Sequence, residues 1–228
     1  MKTVVITGAN KGVGLQLTRL YAESGNKVIA CCRDPDTAID LKAQPGDIEI
    51  HRVEVGNTHS VKALGRELEG VPIDILINNA GTVGPAMNEQ TISRMDFDQW
   101  EEAHNVNTMG PVRMLQELLG NLKAVDFAKV MTVTSQYAAI SFDKPSAYAY
   151  SCTKIAINKF MRLAALDLVK EGIYVGLVHP GWVQTDMGGP KADLTPTESA
   201  AGIQKVIERL NIETTGSFWK WNGEEHAW

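Results

Sequence analysis

Residues 3–14 read TVVITGANKGVG, and this stretch decides the fold of the chain. Its first five residues are all β-branched, which predicts a short strand, and an amphipathic helix is expected to follow it. Between the two, Gly8, Gly12 and Gly14 have the spacing Gly-x-x-x-Gly-x-Gly. A glycine loop between a strand and a helix lets a pyrophosphate approach both the backbone and the helix N-terminus. For the glycines alone, the alternative is an ordinary tight turn.

Outward from this stretch, short apolar runs alternate with longer amphipathic stretches. The predicted strands are Thr3–Thr7, Lys27–Cys32, Ile48–Glu54, Ile73–Asn78, Ala128–Thr134, Ile173–His179 and Gly216–Trp221. The predicted helices are Gly14–Ser24, Pro35–Ala43, His59–Glu69, Phe97–Leu122, Ala147–Lys170 and Thr197–Leu210. Apolar strands that alternate with helices indicate an α/β fold, a doubly wound and mostly parallel sheet of about seven strands with helices on both faces. Without a linker-like composition break, residues 1–228 are expected to form one domain.

Composition and charge exclude several classes of function. The chain of 228 residues has a net charge of −5 with its Lys and Arg dispersed, which disfavours nucleic-acid binding. No apolar run reaches the roughly 20 residues of a membrane span, and a strand-like run directly after Met1 argues against a signal peptide. Three cysteines without framework spacing favour the reducing cytoplasm. The five histidines show no metal-ligand spacing, so we expect no metal site.

The end of the second strand bears on which nicotinamide cofactor binds. A fold of this kind places an acid there for the ribose of NAD, or a basic residue for the 2′-phosphate of NADP. Arg33 follows the strand, while Asp34 precedes Pro35 and is interpreted as a helix N-cap. With Lys11 as a second cation, the pattern favours NADP(H) over NAD(H). The alternative is that Arg33 and Lys11 are solvated surface charges.

Later strand ends supply further candidates for the cofactor site. Glu54 could accept a hydrogen bond from the adenine amino group, with Val55 beside it, or could be a surface acid. Asn79, Ala80 and Gly81 follow an apolar strand and could brace neighbouring strands while a cofactor lies close; a simple turn is the alternative. After the sixth strand, a turn-rich loop offers backbone and side-chain contacts to the nicotinamide amide. Its candidates are Pro180, Gly181, Val183, Thr185 and Met187, and Gly188-Gly189-Pro190 reads as a flexible lid.

Catalytic candidates lie on the later strands and helices. Tyr150 and Lys154 are four residues apart, so they share one face of a helix. A lysine beside a phenol is expected to pull the phenol pKa down from about 10, which would let it exchange a proton with a carbonyl oxygen. Ser135 ends the fifth strand and could also be a plain strand terminator. Asn107, in a helix interior where Asn is disfavoured, could hold a water through its side chain or a distorted backbone carbonyl.

Taken together, these strings resemble the short-chain dehydrogenase/reductase family, and more narrowly its C-factor or sniffer-like carbonyl reductases. Four motifs stand in family order at predicted strand ends and carry the resemblance. They are Thr7-Gly-xxx-Gly-x-Gly14, Asn78-Asn-Ala-Gly81, Ser135 with Tyr150-xxx-Lys154, and Pro180-Gly181. The resemblance implies an NAD(P)-binding Rossmann fold in which the nicotinamide cofactor carries the hydride.

The resemblance also implies a role for each matching residue. Tyr150 would be the general acid toward a ketone or the base toward an alcohol. Lys154 would lower its pKa and hold the nicotinamide ribose, Ser135 would bond the substrate oxygen, and Asn107 would hold a relay water. Two departures are the 15-residue interval from Ser135 to Tyr150 and Glu54 where the family more often has Asp. Tyr148 fits the interval better, but Cys152 stands where its lysine should be.

The expected substrate is a bulky or aromatic ketone or aldehyde, or the corresponding alcohol in reverse. An aromatic pocket wall is predicted from Phe97, Tyr137, Phe142, Trp182 and Met187, with a small substrate loop around residues 185–197; the alternative for each is the core or an interface. The rival function is an NADP-binding regulatory protein with weak catalysis. A homodimer or homotetramer through Phe97–Leu122 and Ala147–Lys170 is expected, with Leu115, Leu118, Leu119, Phe160 and Leu163 in the interface or the core.

Overall fold

A seven-stranded sheet, parallel throughout, forms the centre of the molecule. The computed structural model describes residues 1–228. Its strands are β1 (Thr3–Thr7), β2 (Lys27–Cys32), β3 (Ile48–Arg52), β4 (Ile75–Asn78), β5 (Ala128–Val133), β6 (Ile173–His179) and β7 (Phe218–Lys220). They lie in the order β3-β2-β1-β4-β5-β6-β7, with every neighbouring pair parallel. The predicted fold class is therefore confirmed.

Helices cover both faces of this sheet. They are α1 (Gly12–Glu23), α2 (Ile39–Lys42), α3 (Thr58–Glu67), α4 (Phe97–His104), α5 (Gly110–Glu117), α6 (Leu119–Leu122), α7 (Tyr148–Leu168) and α8 (Pro196–Arg209). One apolar cluster of 26 residues joins the sheet to α3, α5 and α7. A second cluster of 24 residues joins the opposite face to α1, α2 and α8. None of these helices combines the length and apolar composition needed to span a bilayer.

The strand order places a crevice at the carboxyl edge of the sheet. β1 pairs with β2 on one side and with β4 on the other, so the chain winds outward in both directions from β1. Ligands of open α/β sheets bind at such a switch point, outside the carboxyl ends of the strands. The loops after β1, β4, β5 and β6 meet there, and they carry most of the predicted site residues.

The single helix predicted over Phe97–Leu122 is wrong, because it is interrupted twice. A π-helical segment over Asn105–Met109 separates α4 from α5, and α6 is a further short turn. In a regular α-helix the carbonyl of Asn107 would accept from the N–H of residue 111. Residue 111 is proline, which has no N–H, and it stands in the first turn of α5. Leu115 and Leu118 are buried in the core, whereas Phe160 and Leu163 are 42% and 48% exposed.

Two predictions near the cofactor edge are also corrected. β3 ends at Arg52, so Glu54 lies two residues beyond the strand, where its N–H donates to the Ser60 hydroxyl. Asp34 does not cap a helix, because α2 begins only at Ile39. Its carboxylate instead accepts from the N–H of Asp36 and closes a local turn. The remaining elements start and end within a few residues of their predicted bounds.

Candidate active site

The glycine loop between β1 and α1 forms a tight cradle. Gly8 and Gly12 have φ angles of 65° and 55°, a region that other residues rarely adopt. A Cβ added at Gly14 would collide with the carbonyl oxygen of Gly8 and with the Asn79 amide. The cradle thus leaves backbone where side chains would otherwise fill space, and α1 begins at Gly12 with its first N–H groups free of any side-chain cap. These features fit the diphosphate of a dinucleotide.

The loop after β4 is braced against this cradle. The Thr7 hydroxyl accepts from the N–H groups of Asn79 and Ala80 at 3.0 and 3.1 Å. In return the Asn79 amide donates to the carbonyl oxygens of Thr7 and Gly8 at 3.0 and 3.1 Å. In the sequence, Thr7 stands out only as part of the glycine motif. Its hydroxyl fixes the spacing between the two loops that border the crevice.

Two cationic side chains, Arg33 and Lys11, lie at the mouth of the crevice, and only Lys11 forms an ion pair. Arg33 is exposed directly after β2 and makes no hydrogen bond or ion pair. Lys11, by contrast, forms an ion pair with Asp186 at 2.7 Å, which links the glycine loop to the loop after β6. Both partners are largely exposed, so the pair contributes little to stability and can exchange partners. No local pattern indicates this pairing, because its partners are 175 residues apart.

Tyr150, Lys154 and Ser135 come together at the carboxyl end of β5. The first two lie in the first two turns of α7 and all three are at least 93% buried. Lys154 Nζ lies 5.7 Å from the centre of the Tyr150 ring and donates to the carbonyl oxygen of Val133 at 3.2 Å. Ser135 Oγ accepts from the N–H of Tyr137 at 3.2 Å and lies close enough to the Tyr150 phenol to lower its pKa. Tyr148 is exposed at the start of α7.

Burial governs the protonation of this pair. It raises the pKa of Tyr150 to about 12, a rise opposed by hydrogen bonding from Ser135 and supported by the nearby Tyr137. Burial also lowers the pKa of Lys154 to about 8. In the chain by itself, burial therefore outweighs the expected lowering of the phenol pKa by Lys154, because desolvation disfavours phenolate and ammonium alike. The phenol is protonated at neutral pH.

The Asn107 side chain is fully engaged with the protein. Its Oδ1 accepts from the N–H of Thr82 at 2.8 Å, and its Nδ2 donates to the Thr82 carbonyl at 2.7 Å and to the Thr153 hydroxyl at 3.0 Å. A Cβ added at Gly81 would lie 3.2 Å from Asn107 Oδ1 and 3.5 Å from Lys154 Nζ. Gly81 therefore keeps the space next to the catalytic candidates open.

The comparisons with known proteins agree with this geometry. A family model described as short chain dehydrogenase matches residues 2–194. The chain belongs to the short-chain dehydrogenase family. The C-signal protein of Myxococcus xanthus is 37% identical over 158 residues, which cover 69% of this chain and 93% of that protein.

Two solved structures extend the likeness over the full length of this short-chain dehydrogenase. NADPH-bound carbonyl reductase from chicken fatty liver is 30% identical with a TM-score of 0.89, covering 100% of this chain and 99% of the other. Carbonyl reductase Sniffer of D. melanogaster is 26% identical with a TM-score of 0.92, covering 100% of both. The predicted family, with carbonyl reductases of the sniffer type as neighbours, is confirmed, and the chain is an oxidoreductase.

The predicted aromatic wall is only partly assembled in this dehydrogenase. Tyr137 packs edge to face on Tyr150 and on Phe142, with ring centres 6.0 and 5.1 Å apart. Phe97 is 70% exposed and stacks on Trp100 instead of joining this cluster. Trp182 is half exposed in the loop after β6, where its Nε1 donates to the Gly188 carbonyl. Tyr137 and Phe142 are thus the wall residues that stand next to the phenol.

The loop after β6 is held in place by its own hydrogen bonds. The Ser199 hydroxyl donates to the Pro180 carbonyl at 2.6 Å, and Val183 is buried and pairs with Leu194. The Thr185 side chain touches the glycine cradle, since a Cβ at Gly12 would lie 3.1 Å from its Cγ2. At Gly188–Pro190, where a flexible lid is predicted, the N–H of Gly188 donates to the Thr185 hydroxyl. Met187 is half exposed at the rim.

Sequence reasoning missed two residues that contact the peptide group of Tyr150. Gln90 is completely buried and its Oε1 accepts from the Tyr150 N–H at 3.0 Å. The Thr153 hydroxyl donates to the Tyr150 carbonyl at 2.8 Å. Thr153 could have been found, because it stands one helical turn after Tyr150. Gln90 lies in an irregular segment with no periodicity, so no pattern marked it.

A cavity of about 420 Å³ lies elsewhere, between the end of α3 and the α5–α6 region. Its lining residues are Gly65, Arg66, Glu69, Gly70, Glu117, Gly120, Asn121 and Ala124. None of these residues belongs to the site described above. No three His, Cys, Asp or Glu side chains anywhere in the chain form a group that could hold a metal ion.

Proposed function

We propose that this protein reduces a ketone or aldehyde to the alcohol, reversibly, with NADPH as the hydride donor and Tyr150 as the proton donor. The observation that carries the proposal is the buried group of Tyr150, Lys154 and Ser135 beside a glycine cradle. A carbonyl carbon that accepts hydride leaves its oxygen in need of a proton. A buried phenol and a serine hydroxyl at the end of β5 supply that proton and a second hydrogen bond.

The protonation state of Tyr150 favours reduction. Because burial raises the pKa of the phenol to about 12, Tyr150 is in the form that donates to a carbonyl oxygen. Lys154 supports the phenolate left after transfer, since its ammonium lies 5.7 Å from the ring. Ser135 is buried next to the phenol and orients the substrate oxygen. In the reverse direction the phenolate form of Tyr150 accepts the proton of an alcohol.

Reprotonation of the site runs through Lys154 and the π-helical segment. The amide of Asn107 is engaged with Thr82 and Thr153, so a relay water cannot depend on its side chain. Its backbone carbonyl lacks an α-helical donor because residue 111 is proline. We therefore assign the water to this carbonyl. The role of Asn107 becomes twofold, with the side chain as a brace and the carbonyl as a water ligand.

The cofactor assigned to this crevice is NADP(H), in preference to NAD(H). When bound, it supplies the hydride. The diphosphate would be held by the cradle of Gly8, Asn10, Gly12, Val13 and Gly14. The adenine side would contact Val55 and Glu54, the ribose Lys154 and Tyr150, and the nicotinamide the residues Asn79, Ala80, Gly81, Pro180, Gly181, Val183, Thr185 and Met187. Arg33 would bind the 2′-phosphate, with Lys11 released from Asp186 as the second cation.

The substrate we infer is bulky or aromatic. Tyr137 and Phe142 form an edge-to-face pair next to Tyr150, and flat apolar surfaces of this kind favour ring-bearing ligands. Trp182 and Met187, both 48% exposed, can close over such a substrate from the opposite loop. Phe97 contributes only if the segment before α4 moves. Residues 185–197 would then serve as the substrate loop of a single domain that spans the chain.

The direct test is NADPH oxidation by the purified protein with a panel of aliphatic and aromatic ketones, aldehydes and quinones, repeated with NADH. We expect turnover with NADPH, faster for aromatic carbonyls than for aliphatic ones of equal size. Turnover confined to NADH would contradict the cofactor assignment. Absence of turnover with every carbonyl and both cofactors would contradict the function.

A regulatory function is the second candidate, and one finding favours it: the related protein of Myxococcus xanthus is named C-signal. A protein that only senses NADP(H) would need the glycine cradle and Arg33 but not a buried phenol–ammonium pair. The buried Tyr150, Lys154 and Ser135 therefore favour catalysis. NADPH binding without turnover of any carbonyl would favour the regulatory function.

The exposed apolar face of α7 and the free cysteines bear on assembly and location. The outer face of α7 exposes Phe160, Leu163 and Leu166, by 42%, 48% and 69%. We infer that this face pairs two copies of the chain into a homodimer or homotetramer, because a row of exposed apolar side chains on one helix favours association. All three cysteines are free thiols, which suits the cytoplasm.

A further inference from the structure

Gln90 is a buried polar residue that the proposed chemistry does not use. It has no solvent exposure although it lies in the irregular segment between β4 and α4. A buried amide costs free energy unless its donors and acceptor are paired. Gln90 pairs all of them: Nε2 donates to the carbonyls of Val83 and Pro85 at 2.9 and 2.6 Å, and Oε1 accepts from the Tyr150 N–H at 3.0 Å.

The hydrogen bond from the Tyr150 N–H to Gln90 caps the start of α7 from a segment distant in sequence. The first N–H groups of a helix have no partner within the helix and need one from outside it. The residue before α7, Ala147, offers no side chain for this and has the left-handed angles φ 55° and ψ 41°, the only positive φ outside glycine. The side chain of Gln90, from a segment distant in sequence, caps the helix instead. The capped N–H belongs to Tyr150 itself.

The carbonyl of Tyr150 is tied to the same segment by a second route. It accepts from the Thr153 hydroxyl at 2.8 Å, and that hydroxyl accepts from Asn107 Nδ2 at 3.0 Å. Asn107 in turn holds both the N–H and the carbonyl of Thr82. Thus Gln90 and Asn107 connect the peptide groups on the two sides of Tyr150 to residues 82–85, directly after the predicted cofactor contact Gly81.

We propose that Gln90 is a positioning residue for the proton transfer, which fixes the first turn of α7 so that the Tyr150 phenol meets the carbonyl oxygen of the substrate. The segment after β4 and the phenol then move as one unit, since one amide side chain is bonded to both. Misplacement of a catalytic group by about 1 Å can cost a factor of about 100 in rate. This inference rests on the proposed function, because it assigns Gln90 a role in the same reaction.

The test compares Gln90→Met with Gln90→Glu and with a matched control, Gln99→Met. Methionine preserves the approximate volume of Gln90 and removes all three hydrogen bonds. Gln99 is an exposed residue of α4 outside the proposed site. Three quantities are measured for each protein: kcat and KM for a turned-over carbonyl, the Kd of NADPH, and the hydrogen-exchange rate of the Tyr150 amide.

For Gln90→Met we expect kcat to fall roughly tenfold or more, with KM and the Kd of NADPH changed less than about threefold. The Tyr150 amide should exchange at least about tenfold faster, because its cap is gone. Gln99→Met should resemble the unmodified protein in every measurement. Unchanged kcat in Gln90→Met, or a fall in kcat without faster exchange of this amide, would overturn the proposal.

Gln90→Glu gives an independent signature if the methionine variant does not fold. A glutamate facing two carbonyl oxygens is stable there in its neutral form, which still donates one hydrogen bond and accepts from Tyr150. The kcat of the Gln90→Glu variant should approach that of the unmodified protein at low pH and fall as the introduced carboxyl group ionises. A pH profile of the same shape as that of the unmodified protein would contradict the positioning role. If the unmodified protein reduces no carbonyl, the proposed function fails, and amide exchange alone decides whether Gln90 anchors Tyr150.

Discussion

At the scale of single residues, burial is the physical effect that sets the chemistry of the pair on α7. Tyr150 and Lys154 are almost completely buried, and burial shifts both pKa values toward the neutral forms. A phenol held protonated suits proton donation, whereas a lysine with a pKa of about 8 loses its charge within the accessible pH range. We therefore expect the two residues to affect the pH dependence of the rate in different pH ranges.

We predict that kcat/KM for carbonyl reduction falls as the pH rises above about 8. The pKa of Lys154 is lowered to about 8 by burial, so its ammonium is present below that pH and lost above it. Without the ammonium, the phenolate left by proton transfer is not stabilised. Steady-state rates from pH 6 to 10 at constant ionic strength would check this. A profile that stays level to pH 10 would contradict the role of Lys154, and Lys154→Arg should shift the limb upward in any activity it retains.

A second residue-scale prediction concerns Arg33. Replacing it with alanine should weaken NADPH binding by roughly 10 to 100-fold and leave NADH binding nearly unchanged, because only NADPH carries the 2′-phosphate. The magnitude follows from about 1.5–3 kcal/mol for a hydrogen bond to a charged group. Equilibrium titration of both cofactors measures it. Arg52→Ala, at the neighbouring strand end, is the matched control, and equal losses in both variants would show that only general positive charge matters.

At the scale of elements, periodicity predicted the strands well and the long helix poorly. Runs such as Lys27–Cys32 lie between two neighbouring strands and are almost entirely buried, so an apolar pattern is enough to predict them. The break at Asn105–Met109 depends on partners far along the chain. The Asn105 amide donates to the Gly56 carbonyl, and Arg113 donates to the Asn105 carbonyl and side chain, so tertiary contacts override the helical pattern.

The candidate site likewise contains residues that local sequence patterns predict and contacts that they do not. Glycine spacing and the Tyr150–Lys154 interval are local patterns, and the structure brings the residues they marked to one edge of the sheet. Gln90, the Lys11–Asp186 pair and the engaged amide of Asn107 are contacts between segments distant in sequence. A single sequence carries no local signal for such contacts. The rise in the phenol pKa also depends on the depth of burial, which spacing does not reveal.

At the scale of the whole molecule, the C-terminal segment packs at the β7 edge of the sheet around the partly buried His179. His179, at the end of β6, packs edge to face on His226, which stacks on Phe218 with ring centres 4.4 Å apart. Trp228 packs on Phe218 and on the Arg162 guanidinium. The Nδ1 atom of His179 is buried without a partner. Burial lowers the pKa of His179 to about 4, with the neighbouring His226 and Lys220 adding to the effect.

We predict that this histidine makes the fold sensitive to mild acid. Between pH 6.5 and 4, His179 is protonated in the unfolded chain but neutral in the folded chain. The free energy of unfolding therefore falls as the pH falls. The stability contributed above pH 6.5 is lost through that window and is on the order of 2 kcal/mol. Denaturant unfolding at several pH values would show a shallower loss for His179→Gln. His59→Gln, at an exposed histidine, should retain the original slope, and equal slopes in all three proteins would contradict this account.

The activity of the whole molecule depends on Tyr150 donating the proton to the substrate carbonyl. Its most direct test is the single-turnover rate of NADPH oxidation by Tyr150→Phe, beside Tyr148→Phe as the matched control on the same helix. We expect Tyr150→Phe to lose roughly 10² to 10⁴-fold in rate while it binds NADPH normally, because the general acid is gone and the packing is preserved. Tyr148→Phe should stay within about twofold of the unmodified protein. A Tyr150→Phe variant with near-full rate, or an equal loss in Tyr148→Phe, would contradict the account.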